Sequence, residues 1–159
     1  MTLLVQSGRI AIAEALASRP LHLAWGIGDG SWTVPTAESI SVTSLISEVG
    51  RRTIVDIGYV VPDVAGLIML SEGNFTLSGS PTKYLYLKTE FDFADASSSV
   101  IREIGIFAGS TMVGGLPGGQ RYFVPADVAT PGVMVSVQHL VPIYRSPAIR
   151  ENFEIVIQF

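Results

Sequence analysis

Ser98–Gly109 reads SSVIREIGIFAG, and its adjacent charges, Arg102 and Glu103, are the first candidates for chemistry. An acid beside a base can move a proton, lie in solvent, or fix one element against another through an ion pair. Successive side chains of an extended chain point to opposite faces. Arg102 then shares a face with Ile104 and Ile106, and Glu103 shares the other with Ile101, Gly105 and Phe107. The two therefore do not form a dyad with each other. Each sits among apolar neighbours, where an unpaired buried charge is very costly. Complementary charges lie in SLISEVGRR: Glu48, Arg51 and Arg52. The expected structural pairs are Glu48 with Arg102, or Arg51 with Glu103, docking that segment on the strand. The alternative is a solvated sheet edge.

Other reactive residues are sparse. Of the two histidines, His139 shares a face with Val135, Val137 and Val141 and is expected in a core or an interface, whereas His22 is expected at the surface. No G-x-S-x-G elbow is present to activate a serine. Gly26–Gly30, GIGDG, is a fragment of a glycine-rich phosphate loop without the full spacing, and reads as a turn. Asp92 and Asp95 lack the further oxygen ligands of a calcium loop. The absence of cysteine excludes disulfides, thiolate metal sites and a cysteine nucleophile. No catalytic residue, metal or cofactor is expected, and the chain does not read as an enzyme.

Composition points elsewhere. The 159 residues suit a single domain, 1–159. Hydrophobic residues make up 48% and charged residues only 15%, against roughly 25% charged in a typical domain; mean hydropathy is +0.44. So little charge leaves apolar surface uncovered, which implies burial against other protein. A membrane is not the expected partner. Pro62 and Asp63 interrupt IGYVVPDVAGLIML, and no clean apolar run of about 18 residues exists. The N-terminus lacks the basic-then-apolar order of a signal peptide. Net charge is −4 with no basic run, so nucleic acid is not an expected partner either.

The elements follow from periodicity. Residues from about 5 to 19 predict one N-terminal helix, with Ser7 as its cap, Ile10, Ala13, Leu16 and Ala17 at helical spacing, and Pro20 beyond its end. LHLAWGIG alternates as a strand. TSLISEVGRR predicts a short helical turn with Leu45, Ile46 and Val49 inward, stopped by Gly50. RTIVDIGYVV predicts a strand with Val55, Ile57, Tyr59 and Val61 on one face. KYLYLKTEFDF predicts one with Leu85, Leu87, Phe91 and Phe93 on one face, and VMVSVQHLVPIY and NFEIVIQF alternate too. Short strands joined by Gly/Pro/Ser turns predict an α+β, mostly β fold: an antiparallel β-sandwich or barrel-like core over about 21–159. Gly114–Gln120, GGLPGGQ, reads as a loop tip.

In this order the segments resemble a known family. VQSGRIAIAEALA, AWGIGDGSW, a proline-containing loop, SLISEVGRR and VIREIGIF, spanning Val5 to Phe107, are similar to the N-terminal module of phage tail-collar fibre proteins. The matching positions are the turn Gly28-Asp29-Gly30, Leu45 with Glu48 and Arg51, and the strand from Ile101 through Ile104 and Gly105 to Phe107. The resemblance implies a virion structural protein, made in the host cytoplasm, that couples a tail fibre to the baseplate, commonly of a contractile tail. It implies baseplate and tail-fibre proteins as partners, a homo-oligomer with a trimer favoured, and no catalysis. Family members often show an acidic turn after the last motif, where this chain has AGSTMVGGLPGGQ. The alternative reading is a carbohydrate-binding module in which Trp25, Trp32, Tyr84 and Tyr86 stack on host glycans; a depolymerase is disfavoured by the absent motifs. Candidate contact regions are the N-terminal helix, GGLPGGQ and Arg145–Phe159.

Overall fold

The computed structural model describes residues 1–159 and is mostly β, with one helix and antiparallel sheets, including a nearly closed, barrel-like one. Helix α1 (Gln6–Ala17) is followed by β1 (Leu21–Gly26), β2 (Glu48–Thr53), β3 (Asp56–Pro62), β4 (Ile68–Leu70), β5 (Gly73–Ser78) and β6 (Tyr84–Phe91). Then come β7 (Val100–Ala108), β8 (Thr111–Met112), β9 (Tyr122–Phe123), β10 (Val128–Thr130), β11 (Val133–Tyr144) and β12 (Glu151–Gln158). The chain folds into two compact units: one of Met1–Arg19, Ile54–Thr89 and Asn152–Phe159, the other of Pro20–Thr53 and Glu90–Glu151.

The first unit holds α1 and a sheet ordered β12-β6-β3-β5-β4. The helix starts two residues earlier than a Ser7 cap requires. Val5 occupies the cap position, its carbonyl accepts the Arg9 N–H at 3.1 Å, and no side chain caps the end. Ser18 closes the other end through Ala15 O at 2.9 Å, and Ala13 is fully buried. In β3 the expected apolar face is the drier one only in part: Val55 and Val61 are exposed, and the fully buried residue is Val60, on the opposite face. Val60 forms a core with Phe75 and Tyr86, joined by Ile68, Leu70, Tyr84 and Val156. Ile57 and Tyr59 align with Leu87 and Leu85, both of which are buried.

The second unit is built on a sheet ordered β11-β7-β1-β2-β9. Both faces of β1 are covered, so all six of its residues are buried. On one face Leu21, Leu23 and Trp25 align with Ala108, Ile106 and Ile104. Trp25 stacks on Phe91 at 3.6 Å, and its indole N–H donates to the Tyr122 hydroxyl at 3.2 Å. On the other face His22, Ala24 and Gly26 align with Phe107, Gly105 and Glu103. Leu45 closes over Ala24 and Phe107, with Met134 and Val137 alongside. The helical turn expected in TSLISEVGRR is instead the strand β2, paired antiparallel with β1. Leu45 is buried as expected, but Ile46 is exposed, and Gly50 sits inside the strand opposite Trp25. Phe93, expected on the face of Leu85, Leu87 and Phe91, lies beyond the end of β6 and is exposed.

Candidate functional site

The motif residues converge in the second unit, where the chain leaves β1. Gly26 lies opposite Glu103, so the turn that follows begins beside the two charges of β7. Arg102 brackets that turn from one face. Its Nε donates to the Trp32 carbonyl at 3.1 Å and its Nη1 to the Ile27 carbonyl at 3.2 Å. Inside the bracket Asp29 accepts the Ser31 N–H at 2.8 Å and the Ser31 hydroxyl at 2.7 Å. Those two bonds, first the backbone one, hold the Asp29 carboxyl below the usual range. Gly28 takes φ +65°, a left-handed conformation that suits glycine, with the Trp32 ring and the Arg102 Cβ packed where a Cβ would project.

Glu103 reaches the same turn from the other face. It is 1% exposed, beside the turn in which the Gly28 N–H donates to the Ile46 carbonyl at 3.2 Å. Burial pushes its carboxyl above the usual range; the nearby backbone of Ile46 and Gly28 and the His139 ring oppose the shift. Its Oε1 has no hydrogen-bond partner of good geometry. A Cβ on residue 26 would lie 2.6 Å from this oxygen, which is why glycine stands there. Opposite Glu103 on β11 is His139. Its Nδ1 lies 2.9 Å from both the hydroxyl and the carbonyl of Thr36. A carbonyl only accepts, so Nδ1 carries the proton. The His139 N–H donates to Glu38 at 2.9 Å, holding that carboxyl low, and Trp32 packs on the His139 ring at 4.3 Å.

The cross-element pairs expected from the sequence are not the ones formed. Glu48 pairs with Arg51, not Arg102, through two parallel bonds: Nε to Oε1 at 2.8 Å and Nη2 to Oε2 at 2.7 Å. Arg51 is 1% exposed. Its Nη1 donates to the Ser110 hydroxyl at 2.7 Å and the Pro131 carbonyl at 2.8 Å, and its guanidinium lies over the Phe107 ring. Arg102 is held by backbone carbonyls of the turn instead, and Glu103 is buried beside Gly26. A bulge explains the change: β1 advances one residue from Trp25 to Gly26 while β2 moves from Gly50 to Glu48. That extra residue turns Glu48 to the face of Arg51.

Two residues, His22 and Arg145, sit otherwise than the sequence suggests, and a third, Tyr122, carries no sequence signal. His22 is buried rather than at the surface, edge-on to Phe123 at 5.9 Å; burial, helped by Arg51, lowers its pKa to about 4. Arg145, placed among the candidate contact residues, is buried. It donates to the carbonyls of Asp92 at 2.9 Å and Ile149 at 2.9 Å, and its guanidinium faces Trp25. Tyr122 lies over Gly50 and passes its hydroxyl to the Val49 carbonyl at 3.2 Å. Of the aromatics considered for sugar stacking, Trp25 and Tyr86 are core residues, and Tyr84 packs against Phe75. No group of three or more His, Asp or Glu side chains is placed to hold a metal ion, and no helix is long and apolar enough to cross a membrane.

The charged residues of this region are thus engaged with the fold itself, and the open surface next to them is a groove of about 360 Å³. It is bounded by 38–42 on one side and Met134–Val137 on the other. A family model described as "baseplate wedge 3 tail fiber network component" matches residues 1–159. No curated protein matches the chain.

Proposed function

The chain belongs to the family of baseplate wedge 3 tail fiber network components, and from that premise we propose that it couples a tail fibre to the baseplate through protein–protein contacts, without catalysis. The observation that carries this reading is the disposition of its charges. Arg51, Arg102 and Arg145 are all turned inward onto carbonyls and carboxylates of their own unit. Large apolar side chains stand outside: Ile40, Val64, Leu67, Met69, Val133, Val141 and Tyr144 are all at least 64% exposed. Surface of that kind is buried in assemblies. The resemblance to tail-collar fibre proteins adds a contractile tail and a homo-oligomer, with a trimer favoured. The experiment is reconstitution with purified baseplate wedge and tail-fibre proteins, followed by size-exclusion chromatography with light scattering. A complex containing all three is expected. Binding to only one of the two, or to neither, would overturn the coupling role. A host polysaccharide incubated with the chain is expected to stay intact.

A further inference from the structure

We propose that the groove beside β11 accepts the extended segment Met1–Val5 of a second copy as an added strand. The inference rests on the homo-oligomeric part of the reading above. β11 is the edge strand of its sheet, paired only with β7. Its stretch Ser136–His139 keeps unbroken register with β7. The His139 N–H points away from β7, because it donates to Glu38. Backbone groups alternate sides along a strand, so the N–H and C=O of Val137 also point outward. No backbone hydrogen bond joins 38–42 to β11; the segment bonds to itself, Val42 N–H to Ser39 O at 3.2 Å. The groove between them is therefore floored by open strand edge and walled by Ile40 and Val42. That combination is what strand addition uses: ladder bonds for affinity, apolar walls for alternate side chains.

The donor is argued from the same chain. Met1–Val5 lies outside any helix or strand, and Val5 is extended at φ −80°, ψ 166°. Its side chains carry no charge, and Met1, Leu3, Leu4 and Val5 are 128%, 85%, 47% and 57% exposed. Five extended residues span about 17 Å, the same as Met134–Gln138. Glu38, the one charged side chain bounding the groove, is already engaged with the His139 N–H, so a strand without charged side chains fits better than one with basic side chains. Donor and acceptor are different surfaces, so the association is heterologous and closes as a ring or runs on as a filament.

Sedimentation velocity across a concentration series tests this on the full chain. The wild type is expected to self-associate. Leu3→Asp with Leu4→Asp removes the donor, and Val137→Pro removes an outward N–H that the ladder to β7 does not use. Each is expected to raise the association midpoint about tenfold or more with unchanged far-UV circular dichroism. An equimolar mixture of the two variants is expected to form dimers, because one intact donor meets one intact groove. Ile40→Asp, at a fully exposed position, substitutes for Val137→Pro if the proline variant does not fold. A monomeric wild type at all concentrations overturns the proposal. So does a wild type that associates while the donor variant associates equally well; the homo-oligomer would then stand on another surface. Binding to baseplate and fibre proteins, measured separately, reports on the coupling role alone.

Discussion

Every nitrogen of the Arg51 guanidinium is engaged, and the residue is buried. Removing one partner of such a pair leaves the other charge without compensation, which typically costs about 3–5 kcal/mol. Arg51→Ala is expected to lower stability by about 3 kcal/mol in urea titration. Arg51→Lys is expected to recover only part of that, because an ammonium does not reproduce the fork between Glu48 and Ser110. A loss under about 1 kcal/mol for the alanine variant would place the pair with ordinary surface bridges. His22 makes a second prediction. Its folded pKa of about 4 lies below the 6.5 of the open chain, so between those values the unfolded state binds more protons. Stability is then fully present above about pH 6.5 and is lost as pH falls toward 4. Thermal melts should show that loss, and His22→Phe should flatten it. Both residues show where reading from the sequence stops. Alternation puts His22 on the face opposite Leu21 and Leu23, but whether that second face is wet depends on Leu45 and Phe123, distant in sequence. Arg102 and Glu103 were legible as charges held on apolar faces. The partners of Arg102 were not, because these are backbone carbonyls of a turn and carry no residue identity.

At the scale of elements, β2 is the informative failure. Leu45, Ile46 and Val49 have the spacing of a helical turn, and Gly50 looks like its stop. The strand wins because β1 offers a ladder from His22 to Gly26, and because Gly50 lets the Tyr122 ring lie across it. That ring is fixed at both ends of its hydroxyl, by the Trp25 indole and the Val49 carbonyl, so it does not yield to an added methyl. Gly50→Ala is expected to cost more than about 2 kcal/mol, the range of overpacked core sites, and to change Trp25 fluorescence. Gly105→Ala is the control. Its Cβ would meet Met134 Cε at 3.0 Å and Leu45 Cδ2 at 3.1 Å, both ends of flexible side chains. Urea titration should find it clearly less destabilised. Equal losses for the two would mean that Tyr122 is not the constraint. The helix and the long alternating strands were legible because local periodicity specifies them. β2 was not, since a bulge and a tyrosine some seventy residues on decide it.

For the whole molecule, the order of segments matters more than any one contact. The first unit is assembled from three pieces of chain, 1–19, 54–89 and 152–159, and its sheet runs β12-β6-β3-β5-β4. The last piece supplies β12. From there Val156 packs on the core of Val60, Phe75 and Tyr86, Glu154 meets Lys88 at 2.9 Å, and the Phe159 N–H donates to Lys83 O at 3.0 Å. Removing it exposes the edge of β6 and one wall of that core at the same time. The second unit has its own sheet and its own core around Trp25, drawn wholly from 20–53 and 90–151. Truncation after Glu151 is therefore expected to act unevenly. Hydrogen exchange should find the amides of β3, β5 and β6 unprotected, while those of β1 and β7 stay slow. Stability that differs between cooperative units appears in exchange as this kind of split. Uniform loss of protection would mean that the two cores fold as one cooperative system, and uniform retention would mean that β12 only lies against a sheet already complete without it.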